Sequence, residues 1–200
     1  FTDVSVHEKD EHNLGGTGRT WYGEIFDFTT SQSFNFNFAH LLTTKKAWAK
    51  IALASKSLTT NSFQIYTNGN LQKVVNMPIT GNNGYDVGKG GSTEFEFNPT
   101  SDQVNLKIDF HRSSNNAVGY LDYIDVNVRR QLTFDGQQML IRNLFSNGTI
   151  ARYHIKSNSP LQIWDISKPF QVKQEELTNT SSGYDFKCSV LPSKTFIIFN

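Results

Sequence analysis

Alternation with a period of two runs through this sequence and excludes most folds that are not built from strands. In Ser33-Phe34-Asn35-Phe36-Asn37-Phe38 polar and aromatic residues alternate, so three phenylalanines fall on one face of a strand. The same pattern recurs in Glu94-Phe95-Glu96-Phe97, in Val104 to Phe110 and in Asp122 to Val128. Ala47, Ala49, Ile51 and Leu53 alternate with Trp48 and Lys50. Each run has one apolar and one polar face, the pattern of antiparallel sheets covered on one side. Asn68-Gly69, between Phe63-Gln64-Ile65-Tyr66 and the run Leu71 to Val75, signals a two-residue hairpin of type I′. Glycine- and asparagine-rich breaks at 15–18, 81–84, 88–91 and 113–116 mark loops.

Helical periodicity is nearly absent. Its best candidate is 167–177, where Ser167 is placed to cap and Pro169 to open a turn, although Phe170 and Val172 suit a strand equally. The reading is an all-β fold: an antiparallel, jelly-roll-like β-sandwich over 1–130, then a smaller β-subdomain over 131–200. The second part has shorter runs: 139–145, 150–155, 161–166, 184–190 and 195–199. Phe34, Phe36, Phe38, Ile51, Leu53, Leu106, Ile108, Phe110, Tyr123, Val126 and Ile141 are expected in the core. Tyr123 and Val126 differ in parity, so a bulge or two buried faces is expected near Ile124.

Composition narrows the function classes. Nineteen basic against 18 acidic side chains give a net charge of +1, without the footprint of a nucleic-acid binder or an anionic-membrane binder. Ser, Thr and Asn fill more than a quarter of the chain, while 16 Phe supply core material and argue against disorder. No apolar run approaches about 18 residues, so no membrane span is expected. The opening Phe1-Thr2-Asp3-Val4 reads as a cut inside a longer chain.

Few residues invite a chemical role. A single cysteine, Cys188, excludes an intramolecular disulfide and a Cys-based zinc site. Its strand pattern places it beside Tyr184, Phe186 and Val190, as a buried structural thiol rather than a nucleophile. His7 and His12 are five apart in an acidic stretch, one too many for the metalloprotease helix, and read as a solvated charged terminus. Gly15 to Gly18 lacks the Lys-Ser/Thr pair of a phosphate loop. Turn chemistry accounts for Asn82 to Asp86 as well as a structural calcium does. The sequons at Asn147 and Asn179 matter only in a eukaryotic secretory pathway. Trp21, Tyr22 and Trp164 read as core aromatics rather than sugar platforms. No Ser/His/Asp set with a local signature stands out, so no catalytic, cofactor-binding or metal-binding residue is assigned and no cofactor is expected.

One stretch carries a resemblance. Trp21-Tyr22-Gly23-Glu24-Ile25-Phe26 resembles a run near the start of the PorU family, the gingipain-like C25-type sortases of the type IX secretion system in Bacteroidetes. Similar segments follow in the same order: Gly119-Tyr120-Leu121-Asp122-Tyr123-Ile124, Arg130-Gln131-Leu132, Ile141-Arg142-Asn143, Ile163-Trp164-Asp165-Ile166-Ser167 with Pro169, and Thr195 to Phe199. The resemblance implies surface-located cysteine peptidases that remove C-terminal sorting signals from cargo and join the new terminus to anionic lipopolysaccharide. It implies that catalysis resides in a peptidase domain beyond Asn200, so this region is non-catalytic, exported and held at the outer membrane or cell surface. The implied partners are that downstream peptidase domain, the outer-membrane partner PorV and secreted cargo. Within the matching segments Gly23 is read as a close approach or bulge and Asp165 as an Asx turn. An apolar docking patch is expected in the second subdomain, with Trp164 and Phe170 as candidates. Two rival readings are a carbohydrate-binding module and an adhesin-like surface module.

Overall fold

The computed structural model describes residues 1–16, 18–82, 86–142, 150–189 and 194–200. The protein is all-β: among these residues the one helical element is a 3-10 turn at Leu14–Gly16. Contacts divide the chain into two compact units, one of Val4–Phe38 and Thr43–Val128, the other of Phe1–Asp3, Ala39–Leu42 and Arg129–Asn200.

The larger unit is an antiparallel sandwich of jelly-roll type. It contains β1 (Thr2–Glu8) from Val4 onward, β2 (His12–Asn13), β3 (Trp21–Tyr22), β4 (Ile25–Phe26), β5 (Ser31–Asn37) and β6 (Ala47–Lys56). Then come β7 (Asn61–Thr67), β8 (Asn70–Met77), β9 (Lys89–Phe97), β10 (Gln103–Arg112) and β11 (Val118–Arg129) as far as Val128. One sheet runs β1-β11-β6-β9, with β4 also paired to β11, and the other runs β5-β10-β7-β8. Alternation turns Phe34, Phe36, Phe38, Phe95, Phe97, Leu106, Ile108 and Phe110 inward, and all are buried. Each such side chain contributes about 1.5–3 kcal/mol by leaving water. Asn68 (φ 47°) and Gly69 (φ 84°) both adopt the left-handed conformation, as a type I′ hairpin between β7 and β8 requires.

The expected bulge is present, and it corrects one core assignment. Leu121 faces Leu53 and Ile124 faces Ile51, so the four residues 121–124 of β11 face the three residues 51–53 of β6, with Asp122 the extra one. Leu121, Ile124, Val126 and Val128 are therefore buried, while Tyr123, expected in the core, is only half-buried. Gly23 makes the close approach expected of it, since a Cβ there would stand 2.8 Å from Lys9 Cβ.

The smaller unit contains β12 (Met139–Arg142), β13 (Ile150–Lys156), β14 (Gln162–Asp165), β15 (Lys173–Gln174), β16 (Thr178–Thr180), β17 (Gly183–Ser189) and β18 (Thr195–Phe199). Two strand groups, β12-β18-β14-β15 and β13-β17-β16, enclose Leu132, Phe134, Ile141, Ile155, Leu161, Ile163, Phe186, Phe196 and Ile198. Phe186 stacks on Tyr153 at 4.8 Å and meets Phe196 edge-on at 5.1 Å. Cys188 packs on the face that alternation gives it but is only half-buried against this core, not buried as expected. The stretch 167–177 forms no helix: a turn, in which the Gln171 N–H donates to the Lys168 carbonyl, leads into β15. Asp165 makes the expected Asx turn, accepting the Ser167 N–H at 2.9 Å. Expectations that touch Thr17, 83–85, 143–149 (with the Asn147 sequon) and 190–193 lie outside the described residues.

Candidate functional site

The pairing of β13 with β17 brings together three residues far apart in sequence. His154 and Asp185 are Cα partners, and both project from the same face of this small sheet as Arg152. Asp185 is buried and accepts from Arg152 Nε at 2.9 Å and from Arg152 Nη2 on one carboxylate oxygen. Its other oxygen, Oδ1, lies 2.8 Å from His154 Nδ1. The far ring nitrogen, His154 Nε2, lies 3.0 Å from the hydroxyl of Ser182, which sits on the turn between β16 and β17. The hydrogen bonds from Arg152 and then His154 hold the Asp185 carboxyl below the usual carboxylate range. Sequence reading missed this Ser182–His154–Asp185 relay because its members lie on two strands and a turn. Only the β13–β17 register signals it.

The same unit carries an apolar row on a sheet face. Leu140 on β12 is the Cα partner of Ile197 on β18, and Ile197 is the partner of Trp164 on β14. Ile141, Ile198 and Ile163, their chain neighbours, point the other way into the core. Trp164 is 38% exposed and Leu140 is exposed as well, with the Phe199 ring edge-on to the indole at 5.4 Å. Trp164 is thus no core residue, which corrects that expectation. Its strand parity is opposite to that of Ile163 and Asp165, the two buried positions of β14. Phe170, in the turn before β15, is fully exposed.

In the larger unit Trp21 also reaches solvent, at 42% exposure, again contrary to the core reading. His7 does not belong to a solvated terminus: its Nε2 lies 2.9 Å from Glu24 Oε1, which Lys9 Nζ also meets at 2.8 Å. Burial raises the Glu24 carboxyl, but the bonds from Lys9 and His7 outweigh it and hold the group below its usual range. Asp86 accepts the Gly81 N–H at 2.6 Å and pairs with Lys89 at 3.0 Å, so turn chemistry accounts for it. No three described His, Cys, Asp or Glu residues are placed to share a metal ion. A cavity of about 550 Å³, lined by Ser57, Leu58, Thr59, Thr80, Asn82 and Asn116 among others, opens between loops of the sandwich. No helix among the described residues is long and apolar enough to cross a membrane.

No family model matches the chain, and no curated protein matches it. Among solved structures, that of dimeric latent PorU from Porphyromonas gingivalis matches with a TM-score of 0.86 over 99% of this chain, at 18% identity. The match covers 20% of that protein, so this chain spans about a fifth of its length. A family 35 carbohydrate-binding module from Clostridium thermocellum matches over 62% of this chain and 91% of its own, at 14% identity and a TM-score of 0.37. A CBM36 module in complex with calcium and xylotriose matches over 62% of this chain and 98% of its own, at 14% identity and a TM-score of 0.38. The fold of this chain is similar to that of a region of PorU.

Proposed function

We propose that this chain is the non-catalytic scaffold of a type IX secretion sortase-like cysteine peptidase of the C25 type, exported and held at the cell surface. The observation that carries the reading is the PorU fold match along 99% of the chain. In this reading the jelly-roll-like sandwich over 1–130 gives a rigid platform and the subdomain over 131–200 leads toward the peptidase domain. That domain removes C-terminal sorting signals and attaches cargo to the surface. PorV and cargo are the further partners, met while the platform orients the catalytic domain.

The Leu140–Ile197–Trp164 row is the face this reading assigns to the peptidase domain, because apolar side chains aligned across three strands suit a covered surface better than a wet one. Calorimetric titration of the separately produced peptidase domain into this chain tests it. Binding that Trp164→Ala or Ile197→Ser weakens at least about tenfold supports the assignment. Absence of association at high micromolar concentration, with no protection of this row from hydrogen exchange in the longer protein, overturns it.

The cavity between the sandwich loops supports a second reading, carbohydrate binding. The exposed Asn82 and Asn116 at its mouth offer amide groups of the kind that saccharides engage. A glycan-array screen followed by Asn116→Ala separates the two readings.

A further inference from the structure

We propose that Ser182 is an activated nucleophile, an acylation site for small activated esters, with His154 as its base and Asp185 orienting the imidazole. The inference stands on side-chain geometry within the smaller unit and goes beyond the scaffold reading: it adds an acyl-transfer activity separate from the sorting chemistry that reading places in the peptidase domain.

The direction of each hydrogen bond follows from the donors and acceptors present. The Asp185 carboxylate can only accept, and Arg152 occupies Oδ2, so Oδ1 is left for the ring. His154 Nδ1 must therefore donate, and in the neutral imidazole that makes Nε2 the acceptor. The Ser182 hydroxyl then donates to Nε2 across 3.0 Å, the arrangement in which a base can take the hydroxyl proton. A carboxylate held as an anion keeps the ring in this tautomer, as in the Ser-His-Asp arrangement on unrelated folds.

The backbone around Ser182 is fixed rather than loose. The Ser182 carbonyl accepts the Ser157 N–H at 3.2 Å. Gly183, the next residue, has φ 145°, and a Cβ there would stand 1.9 Å from the Ile155 carbonyl oxygen. Only glycine lets β17 start this close to β13, and that approach holds the hydroxyl over the ring. Lys156 is the Cα partner of Gly183 and shares a strand face with His154, which makes it the nearest cation on β13 to test as an aid to the reaction. Ser182 is exposed on the turn between β16 and β17. The site therefore suits small, reactive acyl groups.

The reaction balances without a further reagent. Ser182 Oγ attacks the acyl carbon and its proton passes to His154 Nε2. The tetrahedral adduct collapses as the bond to the leaving alcohol breaks, and the alcohol takes the proton from Nε2. Water repeats the sequence on the acyl-serine, releasing the acid and restoring the hydroxyl.

The test uses the 200-residue chain with a fluorophosphonate probe and, separately, p-nitrophenyl acetate, the adducts being mapped by tandem mass spectrometry. The expected result is a single serine adduct at Ser182, lost in Ser182→Ala and formed about 100-fold more slowly in His154→Gln. Lys156→Met slows it by a smaller factor. Labelling should vanish in urea, since an activated serine loses its base on unfolding while an ordinary surface serine is unaffected. This control also holds if a substituted chain folds poorly. No adduct at Ser182, the same rate in a folded His154→Gln chain, or equal labelling in urea would each overturn the proposal.

Discussion

The ring of Phe63 packs against the backbone of Gly119: a Cβ added at Gly119 would stand 2.7 Å from Phe63 Cζ and 3.1 Å from Phe110 Cδ2. Phe63 in turn meets Phe26 edge-on at 5.6 Å and Phe110 at 4.7 Å, so two rings of this aromatic cluster are seated on one glycine of β11. Gly119→Ala should cost about 1–3 kcal/mol by overpacking, read as a lower urea midpoint with an unchanged m-value. A neutral substitution would mean that the rings repack freely.

The β7–β8 hairpin gives a second test. Gly69 sits at φ 84° with no atom within 4 Å of its missing Cβ, so a side chain there meets backbone strain and no clash. Gly69→Ala should destabilise by about 1 kcal/mol in thermal or urea unfolding. A cost several times larger would show that the loop makes contacts beyond its own turn.

The alternating runs made β5, β9 and β10 legible because each buries one face only, so period two maps directly onto burial. In β11 the parity conflict between Tyr123 and Val126 announced a bulge. It did not reveal that Leu121, rather than Tyr123, keeps the inward register, because that depends on the pairing with Leu53 and Ile51. The size of Trp164 suggests burial, whereas its position between two inward residues of β14 dictates exposure. The Ser182–His154–Asp185 relay was invisible for another reason: strand pairing across a turn, not local spacing, creates it.

Asp165 predicts a pH dependence. Burial raises its carboxyl, but hydrogen bonds from Lys194 and Ser167 outweigh that and hold it below the usual carboxylate range. A depressed folded-state value means stability that is present above the unfolded value and lost as pH falls through the folded one. Asp165→Asn should therefore destabilise the chain at neutral pH, with the difference from wild type shrinking as the pH drops below the usual carboxylate range. Urea unfolding of both chains at pH 7 and at about pH 2.5 measures it. A penalty that is the same at both values would assign the effect to packing.

Cys188 offers a chemical check on the smaller unit. Burial first, then the nearby Glu175, pushes its thiol up, which leaves little thiolate at neutral pH. Alkylation by iodoacetamide at pH 7.5 should run about tenfold or more slower than for an exposed cysteine, and recover in urea. Fast alkylation in the folded chain would contradict its packing against the core of the smaller unit.

Neighbouring isoleucines on β18 separate the two faces of the smaller unit. Ile198 is fully buried among Ile141, Ile163 and Phe196, so Ile198→Ala should cost about 2–5 kcal/mol through lost burial and the cavity left behind. Ile197, one residue earlier, projects from the opposite face between Leu140 and Trp164. If that row is a docking surface, its side chains contribute little to folding of this chain, and Ile197→Ala should cost less than about 1 kcal/mol. The same substitution should then weaken binding of the peptidase domain, a loss the folding measurement cannot register. Equal stability losses at 197 and 198 would place both residues in one core and remove the physical basis for a docking row.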